Sequence, residues 1–200
     1  MNRNRGTSIS KAHAEGRRTL TRRRLASAAA LAGIALVAVL AGGCGGGGTP
    51  AKTTAAPTHQ VVKGAGYTFT APARWRPLAT QRGVSVSGTG RQLITVGVYK
   101  LVKPYAPRRF EATARELDGV AANLAAGRKG KVTAKETLTV AGRQVRSYRI
   151  VYPVGDESLT QQVTFVLRGT TEWLLVCRRA ASDPDEPCAT LLSSFALTVA

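Results

Sequence analysis

The stretch PRRFEATARELDGVAANLAAG (Pro107–Gly127) decides the class of this chain, because the spacing of apolar residues changes there. Phe110, Ala114, Leu117, Ala121 and Leu124 recur at intervals of three and four, which places them on one stripe of a helix. Pro107 suits the first turn of that helix and Gly127 its end, and Glu111 with Arg115 makes a supporting pair four residues apart. On both sides of the stretch the period is two. Before it, GYTFTAP (Gly66–Pro72), GVSVSG (Gly83–Gly88) and RQLITVGVYKL (Arg91–Leu101) read as strands. ARWRPL reads as a turn carrying Trp75, Gly88-Thr89-Gly90 as a hairpin loop, and VKPYAP as a break before the helix.

After the helix the strands return. KVTAKETLTV and RQVRSYRIVYP flank the turn Ala141-Gly142, and SLTQQVTFVLRG and TEWLLVCRR flank Gly169-Thr170. Side-chain alternation puts Gln161, Val163, Phe165 and Leu167 on the core and turns Gln162, Thr164 and Arg168 outward. Trp173, Leu175 and Cys177 share a face of the last strand. Ser182 and Asp183 before Pro184, with Asp185 and Glu186 in the first turn, predict a second short helix whose stripe is Cys188, Leu191, Leu192 and Phe195. ALTV is read as a closing edge strand. Three strands, a helix, four strands and a helix, joined by short connections, predict an α+β fold: an antiparallel sheet of about six to seven strands covered by two helices.

Taken together, GYTFTAPARWRPL, the central helix, the VAGRQVRSY turn-and-strand and the SSF segment resemble the PsbP-type fold. Actinobacterial lipoproteins similar to LpqN, and DcrB-like envelope proteins, carry that fold. The likeness spans roughly residues 61–200 and rests on structural motifs, with no catalytic residue set. It implies a PsbP-like sandwich that acts as a binding or assembly factor. Trp75 and Trp173 are read within it as core aromatics rather than ligand platforms.

The N-terminus reads as an export signal. Arg3, Arg5, Lys11, Arg17, Arg18 and Arg22-Arg23-Arg24 precede the uncharged LASAAALAGIALVAVL (Leu25–Leu40), shorter than the roughly 20 residues a spanning helix needs. AGGC (Ala41–Cys44) resembles a lipobox, with Ala41 where the pattern prefers Leu. Residues 1–43 are therefore expected to be a lipoprotein signal peptide, with Cys44 the lipidated residue. Acyl chains at about 0.8 kcal/mol per buried methylene anchor stably when two or more are present. An uncleaved single-pass anchor is the alternative. TRRRLAS resembles a twin-arginine signal, so both export routes stay open. Residues 44–60, rich in Gly, Thr, Ala and Pro, read as a tether, and 61–200 as one domain. The location expected is the extracytoplasmic face of a bacterial cell membrane.

The chain carries 29 Lys and Arg against 11 Asp and Glu, a formal net charge of +18. From Cys44 on, 21 basic and 10 acidic residues leave +11, scattered rather than striped. That pattern predicts weak attraction to anionic surfaces and argues against a nucleic-acid partner, for which no aromatic-interleaved basic stripe is present. Cys177 and Cys188, the cysteines left in an exported domain, are expected to form a disulfide. The two histidines, His13 and His59, fall in the signal and the tether. A histidine-assisted nucleophile is thus not expected in the domain. The acids read as dispersed: Asp156, Glu157 and Glu172 in turns, Glu111, Glu116 and Asp118 on the first helix, Asp183, Asp185 and Glu186 at the second. Only Glu136 reads as lying inside a strand. No catalytic residue, cofactor or metal is expected. The function predicted is a non-enzymatic binding or assembly module whose partner is an envelope protein or a lipid or wall-derived ligand. The alternative is a structural or stress-related surface lipoprotein without a small-molecule ligand. A helix–sheet groove with apolar walls and a few convergent arginines favours the first, a closed core the second.

Overall fold

The computed structural model describes residues 57–198. The expected signal, Cys44 and most of the expected tether lie outside them. Strands β1 (His59–Gly64), β2 (Tyr67–Pro72) and β9 (Ala196–Leu197) form a three-stranded sheet in the order β1-β2-β9. Strands β3 (Arg76–Thr80), β4 (Gly83–Ser87), β5 (Leu93–Tyr105), β6 (Lys131–Val140), β7 (Arg143–Val154) and β8 (Glu157–Ala180) form the large sheet in the order β3-β4-β5-β8-β7-β6. All pairings are antiparallel. Helix α1 (Phe110–Ala126) packs on β6 and β7, while α2 (Glu186–Ser194) packs on β2 and β8. The predicted α+β class and antiparallel pairing hold, with the small sheet as a separate layer.

The centre of the large sheet is therefore buried on both faces. On one side Tyr148, Ile150, Val163 and Phe165 meet Leu117, Ala121 and Ala125 of α1. On the other, Val86, Ile94, Val96, Val166 and Leu175 meet Phe69, Ala71, Leu191 and Phe195 from the small sheet and α2. This double cover corrects one expectation. Thr164, predicted to look outward, is fully buried, and its hydroxyl lies 2.8 Å from that of Ser147. A polar pair satisfied within the layer escapes most of the cost of burial.

Element β8 is extended backbone for 24 residues, yet it is not straight. A straight run from Glu157 to Arg178 would separate them by about 70 Å. Both instead meet Arg91: its Nε donates to Glu157 Oε2 at 3.1 Å, and its carbonyl accepts from Arg178 Nε at 3.1 Å. The ribbon doubles back at Gly169, whose φ of 54° followed by a residue without positive φ has the signs of a type II′ turn. The faces agree. Leu159, Val163, Phe165 and Leu167 lie on the α1 side, and beyond the turn Leu174 and Ala180 join them while Trp173, Leu175 and Cys177 lie opposite. A two-residue turn produces this exchange of odd and even positions. The two arms flanking Gly169-Thr170 are those expected from the sequence.

Several boundaries move. His59 and Gln60, assigned to the tether, belong to β1. The second half of ARWRPL, read as a turn, belongs to the edge strand β3 (Arg76–Thr80); all five of its residues are exposed, so no alternation marks it, and Pro77 suits an edge. VKPY continues β5, whose register shifts between Lys100 and Tyr105. Leu124 is exposed and Ala125 takes its place, because the helical stripe drifts as it lengthens. Glu111 and Arg115 make no ion pair within 4 Å among the described residues. The second helix begins at Glu186, with Asp185 as its N-cap residue; Asp183 instead accepts the Ala180 N–H at 2.9 Å.

Candidate functional site

A helix–sheet groove is present, with the single arginine Arg109 among its lining residues rather than a convergent set. It holds about 330 Å³ and lies where the end of β5, the start of α1 and the tip of the β8 hairpin converge. Leu101, Leu117, Val120 and Leu167 supply apolar walls, Lys103 and Arg109 basic groups, and Glu116 and Glu172 carboxylates. The two-residue turn at Gly169 sets Leu167 across from Glu172, which brings both to one rim. Beside the groove Val102 is 99 % exposed, and Val120 is 43 % exposed. Sequence reasoning placed Glu116 on the helix and Glu172 in a turn and saw no convergence. Glu172 is in strand β8, opposite Tyr99. Only the packing of α1 over the hairpin tip brings these two acids to one groove.

Glu172 is electrostatically uncomfortable. Burial pushes its carboxyl above the ordinary range, and no cation lies within ion-pair distance among the described residues. A carboxyl raised in this way favours the fold when protonated. Its contribution is whole below the ordinary value of 4.5 and lost as pH rises through the raised one. Glu172→Gln is therefore expected to raise the melting temperature at pH 7. The gain should vanish below pH 4.5, and a variant melting at or below wild type at neutral pH would disprove the assignment.

Asp118 is the opposite case. The Tyr148 hydroxyl donates to Asp118 Oδ1 at 2.7 Å, Arg146 Nε at 3.2 Å, and Lys135 Nζ donates to Oδ2 at 3.2 Å. The Tyr148 bond first, then Arg146 and Lys135, hold the carboxyl at about 2 against an ordinary 3.8. Burial and the Asp118 bond push the Tyr148 hydroxyl upward in turn. The network fastens α1 to β6 and β7, which reads as structural. A depressed acid stabilises the fold above its ordinary value and loses that contribution as pH falls toward 2. Asp118→Asn is expected to cost about 1–2 kcal/mol at pH 7, discounted for partial exposure. In urea titrations the difference from wild type should close as the pH approaches 2; a constant gap would assign the loss to packing instead.

The other predicted residues fall as follows. Cys177 and Cys188 are disulfide-bonded, with Cα atoms 5.5 Å apart, as expected. Trp173 is core. Trp75 is only partly buried: it packs at the core edge and also lines a second recess. His59 Nε2 lies 2.8 Å from Glu186 Oε1, at the end of the fold opposite the groove. Glu136 is exposed within β6. Among the described residues no three His, Cys, Asp or Glu side chains gather as a metal site, and no helix is long and apolar enough to cross a membrane. Cys44 lies outside the described residues.

Comparison with known protein families finds no match, and no curated protein matches the sequence. Among solved structures the chain is similar to the solution structure of cyanobacterial PsbP (CyanoP) from Synechocystis sp. PCC 6803. The TM-score is 0.51 and the identity 17 %, over 78 % of this chain and 98 % of that one. Nearly the whole neighbour is matched, by a backbone path rather than by residues in common. The domain described here has a PsbP-like fold.

Proposed function

We propose that the chain is a cell-envelope lipoprotein, anchored through an acylated Cys44 at the extracytoplasmic face of the membrane. Its domain acts as a non-enzymatic binding or assembly module, and the α1–β5 groove is the docking site. The observation that carries this reading is the groove itself: apolar walls open to solvent, beside a half-buried carboxylate with no cation in ion-pair distance among the described residues. Such a carboxylate costs stability, so its place at a binding rim is easier to understand than its place in a purely structural domain. An open groove also favours this reading over a ligand-free surface lipoprotein. The occupant that fits is an envelope protein or a lipid or wall-derived ligand with an apolar portion and a polar or cationic group. The overall positive charge adds a weak, salt-sensitive attraction to anionic surfaces.

The test is affinity capture from crosslinked envelopes with wild type and Val120→Arg. Val120 is exposed on the helix, so the substitution fills the groove without entering the core. Wild type should retain a partner at high salt that Val120→Arg loses. An unchanged partner set, or one that salt removes entirely, would refute the groove. Mass spectrometry should show a mature N-terminus at acylated Cys44, and Cys44→Ala should accumulate as unprocessed precursor; an intact Met1 on the mature protein would favour the uncleaved anchor. Because Glu116 and Glu172 share the groove, turnover of any substrate lost in Glu172→Gln would overturn the non-enzymatic half.

A further inference from the structure

The end of the domain at which the described chain begins carries a second recess. A cleft of about 690 Å³ is walled by Pro57 and Thr58, by the turn from Pro72 to Arg76, and by Ser87 to Thr89. The turn is fastened in place. The Ala73 N–H donates to the Thr58 carbonyl at 2.9 Å and the Trp75 N–H to the Pro72 carbonyl at 3.0 Å. The side-chain amide of Gln60 donates to the carbonyls of Pro72 and Trp75 at 3.0 and 2.5 Å. The Trp75 indole lies so close to Gly88 that an added methyl group there would overlap the ring. The ring is therefore held in one place, part of it in the core and part in the cleft.

Arg74 and Arg76 flank this ring, both exposed and neither in an ion pair among the described residues. Three acids near this end are already engaged, Glu157 with Arg91, Asp185 with Arg179 and Glu186 with His59, while the exposed Asp156 in the β7–β8 turn reaches neither Arg74 nor Arg76 within ion-pair distance. A fixed tryptophan between two unpaired guanidinium groups suits the headgroup layer of an anionic bilayer. There indole rings settle at the interface and each basic side chain gains from the negative surface.

We propose that this cleft docks on the anionic lipid headgroups of the membrane that carries the Cys44 anchor. The inference rests on the lipoprotein reading for its geometry. Cys44 is 13 residues before Pro57, so the chain between them spans at most about 45 Å even fully extended. Whatever path that segment takes, the cleft walled by Pro57 stays within this reach of the lipid. The groove lies at the other end of β5, a 13-residue strand, and so faces away from the docked surface.

The experiment uses the chain from residue 44 with Cys44→Ser, which keeps all the described residues, 57–198. It is mixed with phosphatidylglycerol–phosphatidylcholine vesicles or phosphatidylcholine alone, each doped with a headgroup-region spin-labelled lipid. The chain has two tryptophans, and buried Trp173 serves as the internal reference. Trp75 emission should be quenched only with phosphatidylglycerol present, and Trp75→Phe should remove the quenched component. Arg74→Gln with Arg76→Gln should weaken vesicle binding about thirty-fold. Arg108→Gln with Arg168→Gln removes the same charge at the groove end and should change binding by less than about two-fold. Equal losses in the two double variants would reduce the effect to net charge and overturn the site. So would binding without Trp75 quenching, equal affinity for phosphatidylcholine, or saturation by inorganic phosphate without vesicle binding. Mass spectrometry of the native protein separates the two claims. An acylated Cys44 with no anion-dependent binding overturns the cleft alone, whereas an unacylated Cys44 overturns the anchored geometry even where vesicle binding persists.

Discussion

Replacing Cys177 and Cys188 together by serine is expected to lower the domain's stability by about 3 kcal/mol. The disulfide joins the second arm of β8 to α2 across a sequence separation of 11. A loop of that length removes a moderate amount of chain entropy from the unfolded state. The bond also acts where the fold has least redundancy. Helix α2 is only nine residues long and is held by Pro187, Cys188 and Leu191, with Phe195 following. A helix of that length has little stability of its own in water. Loss of the bond should therefore loosen α2 and, with it, β9, which pairs with β2 only at Tyr67 and Thr68. Urea unfolding should show a lower midpoint with little change in slope. Hydrogen exchange should show α2 opening before the large sheet. Both cysteines are 3 % exposed, so the native protein should resist alkylation after mild reductant until it unfolds. An unchanged midpoint in the double serine variant would show that packing alone secures α2.

Tyr67→Ala should cost more, about 3–5 kcal/mol by the general experience of emptying large buried sites. Tyr67 is fully buried at the seam between the two sheets. Its ring stacks on Phe69 and Phe195, with centroids 6.3 and 5.8 Å away, and its hydroxyl donates to the Val96 carbonyl at 3.1 Å. It also occupies the space beside Gly64, where an added methyl would overlap the ring. One side chain thus links β2, β5 and the residue after α2. Tyr67→Phe should separate the ring from its hydroxyl, costing about 1 kcal/mol for the lost bond to a buried carbonyl. Denaturant titration of the two variants tests the division. A Phe variant as damaged as the Ala variant would mean that the hydrogen bond, not the ring, secures the seam.

The elements of this domain were legible wherever one face of a strand or helix was buried and the other was not. The α1 stripe, the β6–β7 hairpin and the second arm of β8 follow that rule. Legibility failed where it breaks: β3 is exposed on every side, and the β8 arm around Thr164 is covered on both faces. The same reason hid the groove. Leu117 and Glu116 were readable as helix positions and Leu167 as a strand position. Nothing in their spacing along the chain says that α1 crosses the tip of the β8 hairpin.

By itself the sequence determined what depends on neighbours along the chain: helix or strand, the glycine turns, the closeness of Cys177 to Cys188, and a basic, histidine-poor composition. The tertiary structure alone decided the separation into two sheets, the desolvation of Glu172 in the groove it shares with Glu116, the Asp118–Tyr148 tie and the placing of the Arg74-Trp75-Arg76 run at a cleft where the described chain begins. Periodicity records how much of each side chain is buried. Which distant element does the burying is set by long-range pairing, which local patterns do not encode.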